Sequence, residues 1–145
     1  MNGYLLDTNI VSLLSPSSTV RATVFLDWLE QAEQRSELYL SVVTIHEIKR
    51  GIGLLEHKGA TAKASALRTW LEGLTATYAD RILPIDTAVS AISGALEADA
   101  VANGHSSGMA DALIAGTAKA HRLTVVTRNQ RHFEPFAIDL SVPEF

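Results

Sequence analysis

At 145 residues, with 12 Lys and Arg against 16 Asp and Glu and no cysteine, the chain has material for one core and one site, and a single domain over residues 1–145 is expected. The absence of cysteine excludes a disulfide framework, a thiolate nucleophile and a cysteine-ligated zinc site. A net charge of −4 excludes a uniformly basic nucleic-acid surface, though not a local basic groove.

The chain opens without a basic, then apolar leader, and no apolar run approaches the roughly 18 residues needed to span a bilayer, so a soluble cytoplasmic protein with no membrane partner is expected. Tyr4-Leu5-Leu6 reads as a short strand, Asp7-Thr8-Asn9 as a polar turn and residues 10–14 as a short helix. Ser15-Pro16-Ser17-Ser18 breaks the chain, after which Val20, Val24, Phe25, Trp28 and Leu29 recur at helical spacing before Glu37. Residues 38–43 are rich in β-formers and predict a strand. Thr44-Ile45-His46-Glu47 follows as a capping box, with Thr44 at the N-cap and Glu47 at N3 of the next helix. Gly51, Gly53 and Gly59 are expected to loosen the chain ahead of a helix over residues 60–77, whose apolar stripe is Leu67, Trp70, Leu71 and Leu74. Residues 81–85 read as a strand, and Asp86 as the N-cap of an alanine-rich helix that ends at Asn103-Gly104. Ser106-Ser107-Gly108 opens a helix over residues 109–121, residues 123–127 form the clearest buried strand, and residues 137–140 a last edge strand.

Strands alternating with helices at these spacings predict an α/β fold of three layers, a mostly parallel central sheet flanked by helices. Ligands of such sheets bind beyond the carboxyl ends of the strands. Asp7, Glu47 and Asp111 each fall where a strand gives way to a helix or just inside a helix start, so parallel crossovers would bring them to one sheet edge. Three acids at one place repel one another unless a cation lies among them, and a divalent metal is the natural candidate. Each also has a plainer use: Asp7 as a turn or cap residue, Glu47 as half of the capping box, Asp111 as favourable charge near a helix N-terminus. Thr8, Asn9 and Thr127 would orient metal waters or cap backbone groups. Lys49, Arg50, Arg128 and Arg131 would rim the acidic pocket and meet an anionic substrate, or serve as ordinary solvated charge. Asp86 and Asp99 read as cap and solvated helix residue. His46 and His132 have no partner histidine at i, i+4 spacing and are expected on the surface or on the substrate side.

Four segments in order carry a family resemblance: Tyr4-Leu5-Leu6-Asp7-Thr8-Asn9, Ser41-Val42-Val43-Thr44-Ile45-His46-Glu47, residues 110–118, and Leu123-Thr124-Val125-Val126-Thr127-Arg128-Asn129. Together they resemble the PIN-domain nucleases, and with the chain length resemble the VapC-type toxins of toxin–antitoxin modules, in particular the FitB-like branch. The resemblance implies an Mg²⁺- or Mn²⁺-dependent endoribonuclease, a homodimer that forms a tetramer or larger assembly with a cognate antitoxin, a short DNA-binding protein whose C-terminal segment lies across the active-site groove. It makes Asp7, Glu47 and Asp111 the metal-binding catalytic acids. Asn129 stands where the family's fourth acid is usual, and His132 where many relatives have Asp before Phe133, so the fourth metal position is filled by a neutral amide. Mg²⁺ held by a few carboxylates, waters and a phosphate oxygen would activate a water and neutralise charge on the phosphate.

Two other functions stay open on the residues alone. One is a non-catalytic PIN-fold regulatory partner with a degenerate acidic site, for which Asn129 speaks. The other is a phospho-acceptor or phosphatase domain with Asp7 as nucleophile, against which stands the single carboxylate in Asp7-Thr8-Asn9. No Gly-x-Ser-x-Gly elbow or glycine-rich phosphate loop is present.

Overall fold

The computed structural model describes residues 3–19, 23–35 and 37–143. Five short strands, β1 (Tyr4–Leu6), β2 (Leu38–Ser41), β3 (Ile82–Leu83), β4 (Thr124–Val126) and β5 (Leu140–Ser141), form one sheet in the order β3-β2-β1-β4-β5, every neighbouring pair parallel. The helices are α1 (Thr8–Ser12), α2 (Thr23–Gln34), α3 (Val42–His57), α4 (Thr61–Thr77), α5 (Thr87–Ala102), α6 (Met109–His121) and α7 (Gln130–Phe133). This is the three-layer arrangement expected of alternating strands and helices.

Alternation along the strands divides the core in two. Leu6, Leu38, Leu40 and Val126 face the layer of α1 to α4, where Ile10, Val11, Phe25, Leu29, Ile52, Leu71 and Leu74 are buried. Leu5, Leu83 and Val125 face the other layer, against Leu96, Ala112, Ile114, Ala115 and Phe133 of α5, α6 and α7. A strand buried on both faces must be apolar at every position, which is why β1 and β4 read as continuous apolar runs. Among the described residues no helix is long and apolar enough to cross a membrane.

Several local expectations are corrected. The helix after β2 starts at Val42, capped by Ser41, whose hydroxyl accepts the Val43 N–H at 3.0 Å. The capping box therefore does not form: Thr44 is a buried residue of the first helical turn, and a side-chain cap outweighs the strand preference of Val42-Val43. Gly51 and Gly53 lie inside α3 instead of loosening it, because Ile48, Ile52 and Leu55 hold that helix on the core; only Gly59, with φ +81, ends the run. Val24 is exposed, so the core stripe of α2 is Phe25, Trp28 and Leu29, while Val20 lies outside the described residues. The strand expected over residues 81–85 shrinks to β3, since Arg81 closes a 3₁₀ turn (Ala79–Arg81) and stacks its guanidinium 4.5 Å over the Tyr78 ring. The last strand is shifted to Leu140–Ser141. Asp86 does cap α5, its carboxylate accepting the Val89 N–H at 2.9 Å.

Among the described residues, two other than glycine hold left-handed backbone, Arg122 (φ 56) at the C-cap of α6 and Ala137 (φ 51) before β5. A side chain in that region costs about 1–2 kcal/mol, and glycine's greater unfolded freedom offsets part of the relief. Arg122→Gly should therefore stabilise the fold by about 0.5–1 kcal/mol in chemical denaturation; a loss of stability would mean that the Arg122 side chain holds α6 in place.

Candidate metal centre

The strand order reverses at β1: the chain proceeds from β1 to β2 on one side and later returns to β4 on the other. The crevice at such a switch point is the usual ligand site of an open parallel sheet. Asp7 leaves the end of β1 and Thr127 the end of β4, so they meet there.

Asp7 is buried, 6% exposed. Its Oδ1 accepts the Thr8 N–H at 2.8 Å and caps α1, while its Oδ2 accepts the Thr127 hydroxyl at 2.8 Å. The cap reading of Asp7 is thus correct for one oxygen, and the other is tied across the sheet. The Thr127 hydroxyl in turn accepts the Asn129 N–H at 2.9 Å, which turns the chain sharply after β4. Asn9 steadies the same turn by accepting the Arg128 N–H at 3.4 Å.

Glu47 comes from α3, and its Oε1 accepts the Thr8 hydroxyl at 2.6 Å. With that proton given to Glu47, Thr8 must receive the hydroxyl of Thr44, 3.0 Å away. Thr44, expected as a cap, instead backs the Thr8–Glu47 contact from below. Asp111 comes from the first turn of α6, half-buried, with its Oδ2 3.5 Å from Nδ1 of His132 on α7.

The three acids sense one another. Burial raises the proton affinity of Asp7, the hydrogen bonds from Thr127 and Thr8 oppose that rise, and the negative charges of Asp111 and Glu47 add to it. Asp111 is likewise raised by burial, lowered by His132 and raised by Glu47. Asp7, Glu47 and Asp111 thus lie near enough for their charges to act on one another, with Thr8 bonded to both Asp7 and Glu47 and Thr127 to Asp7. Lys49 and Arg50 are exposed on α3, Arg128, Asn129 and Arg131 on the turn and helix after β4. Two residues on from Glu47, Lys49 points about 200° away around the helix, whereas Arg50 stays on its flank. Arg128, Asn129, Arg131 and His132 line a shallow concavity of about 390 Å³. His46 and Asp99 are exposed.

A cation would find oxygen donors suited to a hard divalent ion in the carboxylates and the Thr8 and Thr127 hydroxyls, while the Asn129 side chain is exposed and lines the neighbouring concavity. Among the described residues, however, no three His, Asp or Glu side chains stand close enough to enclose one, because Glu47 leans on Thr8 and Asp111 toward His132. The donor chemistry fits; closing on an ion requires side-chain rotation.

A groove of about 300 Å³ leads away from Thr8 and Glu47 over Ile48, Ile52, Leu55, Leu67 and Trp70, with Lys63 beside it. Ile48, Leu55, Leu67 and Trp70 are half-buried along it and Ile52 fully buried, so an apolar channel continues from the polar cluster.

The PIN domain model matches residues 4–137. The chain belongs to the PIN-domain family. Among its relatives, this PIN domain is 38% identical to Toxin FitB of Neisseria gonorrhoeae, over 95% of this chain and 94% of that protein. It is 34% identical to VapC ribonuclease Y4jK of Sinorhizobium fredii, over 96% of each. The crystal structure of FitAcB from Neisseria gonorrhoeae superposes with a TM-score of 0.82 at 33% identity, covering 96% of each chain. A mostly parallel sheet flanked by helices is therefore the fold of this PIN domain in fact as well as in expectation.

Proposed function

We propose that this PIN domain is the toxin of a type II toxin–antitoxin module, an endoribonuclease that hydrolyses RNA phosphodiester bonds with a divalent metal, Mg²⁺ or Mn²⁺. The observation that carries the reading is the meeting of Asp7, Glu47 and Asp111, from three separate segments, at the switch point of the sheet, with the proton affinity of Asp7 and Asp111 raised. Structural acids need not converge in this way.

Asp7, Glu47 and Asp111 would hold the ion, with Asn129 offering its amide oxygen. When bound, the metal supplies a polarised water and neutralises charge on the phosphate. The Thr127 hydroxyl and the α1 cap orient Asp7, and Thr8 with Thr44 orients Glu47. Arg128 and Arg131, with Arg50 and Lys49 further out, would meet the RNA phosphates, so binding should weaken steeply with salt. The apolar groove beside Glu47 would receive the C-terminal segment of the cognate antitoxin, which silences cleavage by covering the acids.

The test is cleavage of a structured RNA by metal-stripped protein with and without Mg²⁺ or Mn²⁺. Internal cuts that require the ion support the reading; cutting undiminished in EDTA, or none in any metal, overturns it. A non-catalytic partner is the second reading, favoured by the neutral Asn129 at the fourth acid position.

Three carboxylates carry −3 against +2, so one ion should bind the free protein and a second only weakly. Asn129→Asp raises the ligand charge to −4, and should shift the metal dependence of cleavage to lower concentration and lower the melting temperature in EDTA. Unchanged metal binding and an unchanged melt would mean that residue 129 does not face the acids.

A further inference from the structure

Gly51 is a residue for which the fold supplies no reason. It lies inside α3, it is exposed, and a Cβ placed on it would meet nothing within 4 Å. A glycine in mid-helix leaves the helix less stable than alanine would, so its presence there calls for a cause outside the core.

What the missing side chain does change is the groove that leads away from Glu47. Glu47, Gly51 and Leu55 stand at i, i+4 and i+8 on one face of α3, and all three line that groove, with Leu67 and Trp70 of α4 alongside. From Glu47 to Leu55 the helix advances about 12 Å, the reach of about four extended residues, and Gly51 is the low point midway. Gly53, two residues on, faces about 200° away around the helix and lies outside the groove. The charged residues lining the groove are Glu47 and Lys63, of opposite sign. A polyanion would lose at Glu47 what it gains at Lys63, and its phosphates would gain nothing from Leu55, Leu67 and Trp70. Apolar side chains of a polypeptide would gain by burial against all three.

We infer that an apolar segment of the cognate antitoxin runs along this groove with its main chain crossing α3 in contact with Gly51. The inference rests on the toxin–antitoxin reading of this chain. Glycine is the residue that lets another backbone approach a helix closely, and any side chain at position 51 would hold the segment off the groove floor. The helix gives up some stability of its own at Gly51, and the complex gains contact there.

The experiment titrates the whole chain into the antitoxin of the same module, expressed whole and labelled at its N-terminus with fluorescein, alongside thermal melts of the free chain. Gly51→Ala should melt about 2–4 °C above wild type, alanine being the better helix former, yet bind the antitoxin at least about tenfold more weakly. Gly51→Leu should bind at least about a hundredfold more weakly. The control Gly53→Ala should gain a similar rise in melting temperature and bind as wild type does. Gly51→Leu that binds as tightly as wild type, or Gly51→Ala that melts lower, overturns the role of Gly51 and leaves the toxin reading standing. Loss of binding to a fluorescein-labelled RNA in EDTA by Gly51→Leu, with antitoxin binding kept, gives the groove to RNA and overturns it as well. A wild-type chain that does not bind the antitoxin overturns both the inference and the reading beneath it.

Discussion

Asp7→Asn, Glu47→Gln and Asp111→Asn should each lose at least about a hundredfold of RNA cleavage, since even residues that only support a metal ligand are worth about 10–100-fold. The fold should survive in all three. In Asp7→Asn the amide oxygen still caps α1 through the Thr8 N–H, asparagine being as good an N-cap as aspartate, and the Thr127 hydroxyl can turn to accept from the amide. The melting behaviour separates a lost ligand from a lost fold. Burial and neighbouring acids raise Asp7 and Asp111, so between the unfolded carboxylate value and the raised native value the folded chain binds more protons than the unfolded one. Metal-free stability consequently falls as pH rises through that window, and the cost persists above it. Asp7→Asn and Asp111→Asn remove the cost and should melt at or above wild type at pH 7 in EDTA, an advantage that fades as the pH approaches about 4. Full cleavage by any of the three variants would remove that residue from the site. A large drop in melting temperature would instead give Asp7 or Asp111 a structural role.

Gly116→Ala should destabilise the fold by about 3 kcal/mol, the upper end of what overpacking a core costs. A Cβ on Gly116 would lie 1.9 Å from Ser93 Oγ, 2.9 Å from Ser93 Cβ and 3.0 Å from Ser93 Cα. Rotating the Ser93 hydroxyl relieves only the first of these clashes; the other two involve atoms that move only with the helix backbone, so α5 and α6 must part. Asp111 is in the first turn of α6, so the same shift should also reduce cleavage. Ser93 Oγ is buried without a hydrogen-bond partner among the described residues, and Ser93→Ala should stabilise by about 1 kcal/mol. Ser93→Gly combined with Gly116→Ala should recover most of the loss in denaturant titrations. Gly116→Ala within 0.5 kcal/mol of wild type, roughly the spread of a neutral surface change, would refute this close packing of α5 on α6.

The layered fold was legible because its elements are strongly marked: α6 spans the residues expected after Ser106-Ser107-Gly108, and Leu67, Trp70, Leu71 and Leu74 do pack α4 on the core. Boundaries were less so. Ser41 and Thr44 are both competent caps, and the choice fell to the one whose position lets Thr44 meet Thr8 in the interior. Gly51 and Gly53 disfavour helix locally, but the burial of Ile52 decides the matter from a distance. That the charges of Asp7, Glu47 and Asp111 act on one another follows from places visible in the sequence, Asp7 at the end of β1 and Glu47 and Asp111 in the first turns of α3 and α6. The approach of His132 to Asp111 could not be read there, because it depends on the turn after Thr127, which Asn129 closes on the Thr127 hydroxyl, and on the seating of α7 beside α6. Nor does any local signal mark the contact of Ser93 with Gly116, 23 residues apart on facing helices.

The claim that the acid cluster is a cation site is tested most directly by calorimetric titration of Mn²⁺ into EDTA-stripped wild type and Asp7→Asn. One ion per chain should bind wild type, and binding should weaken at least about tenfold in the variant, whose fold should be retained. Equal binding by the two proteins, or no binding by wild type, would contradict it.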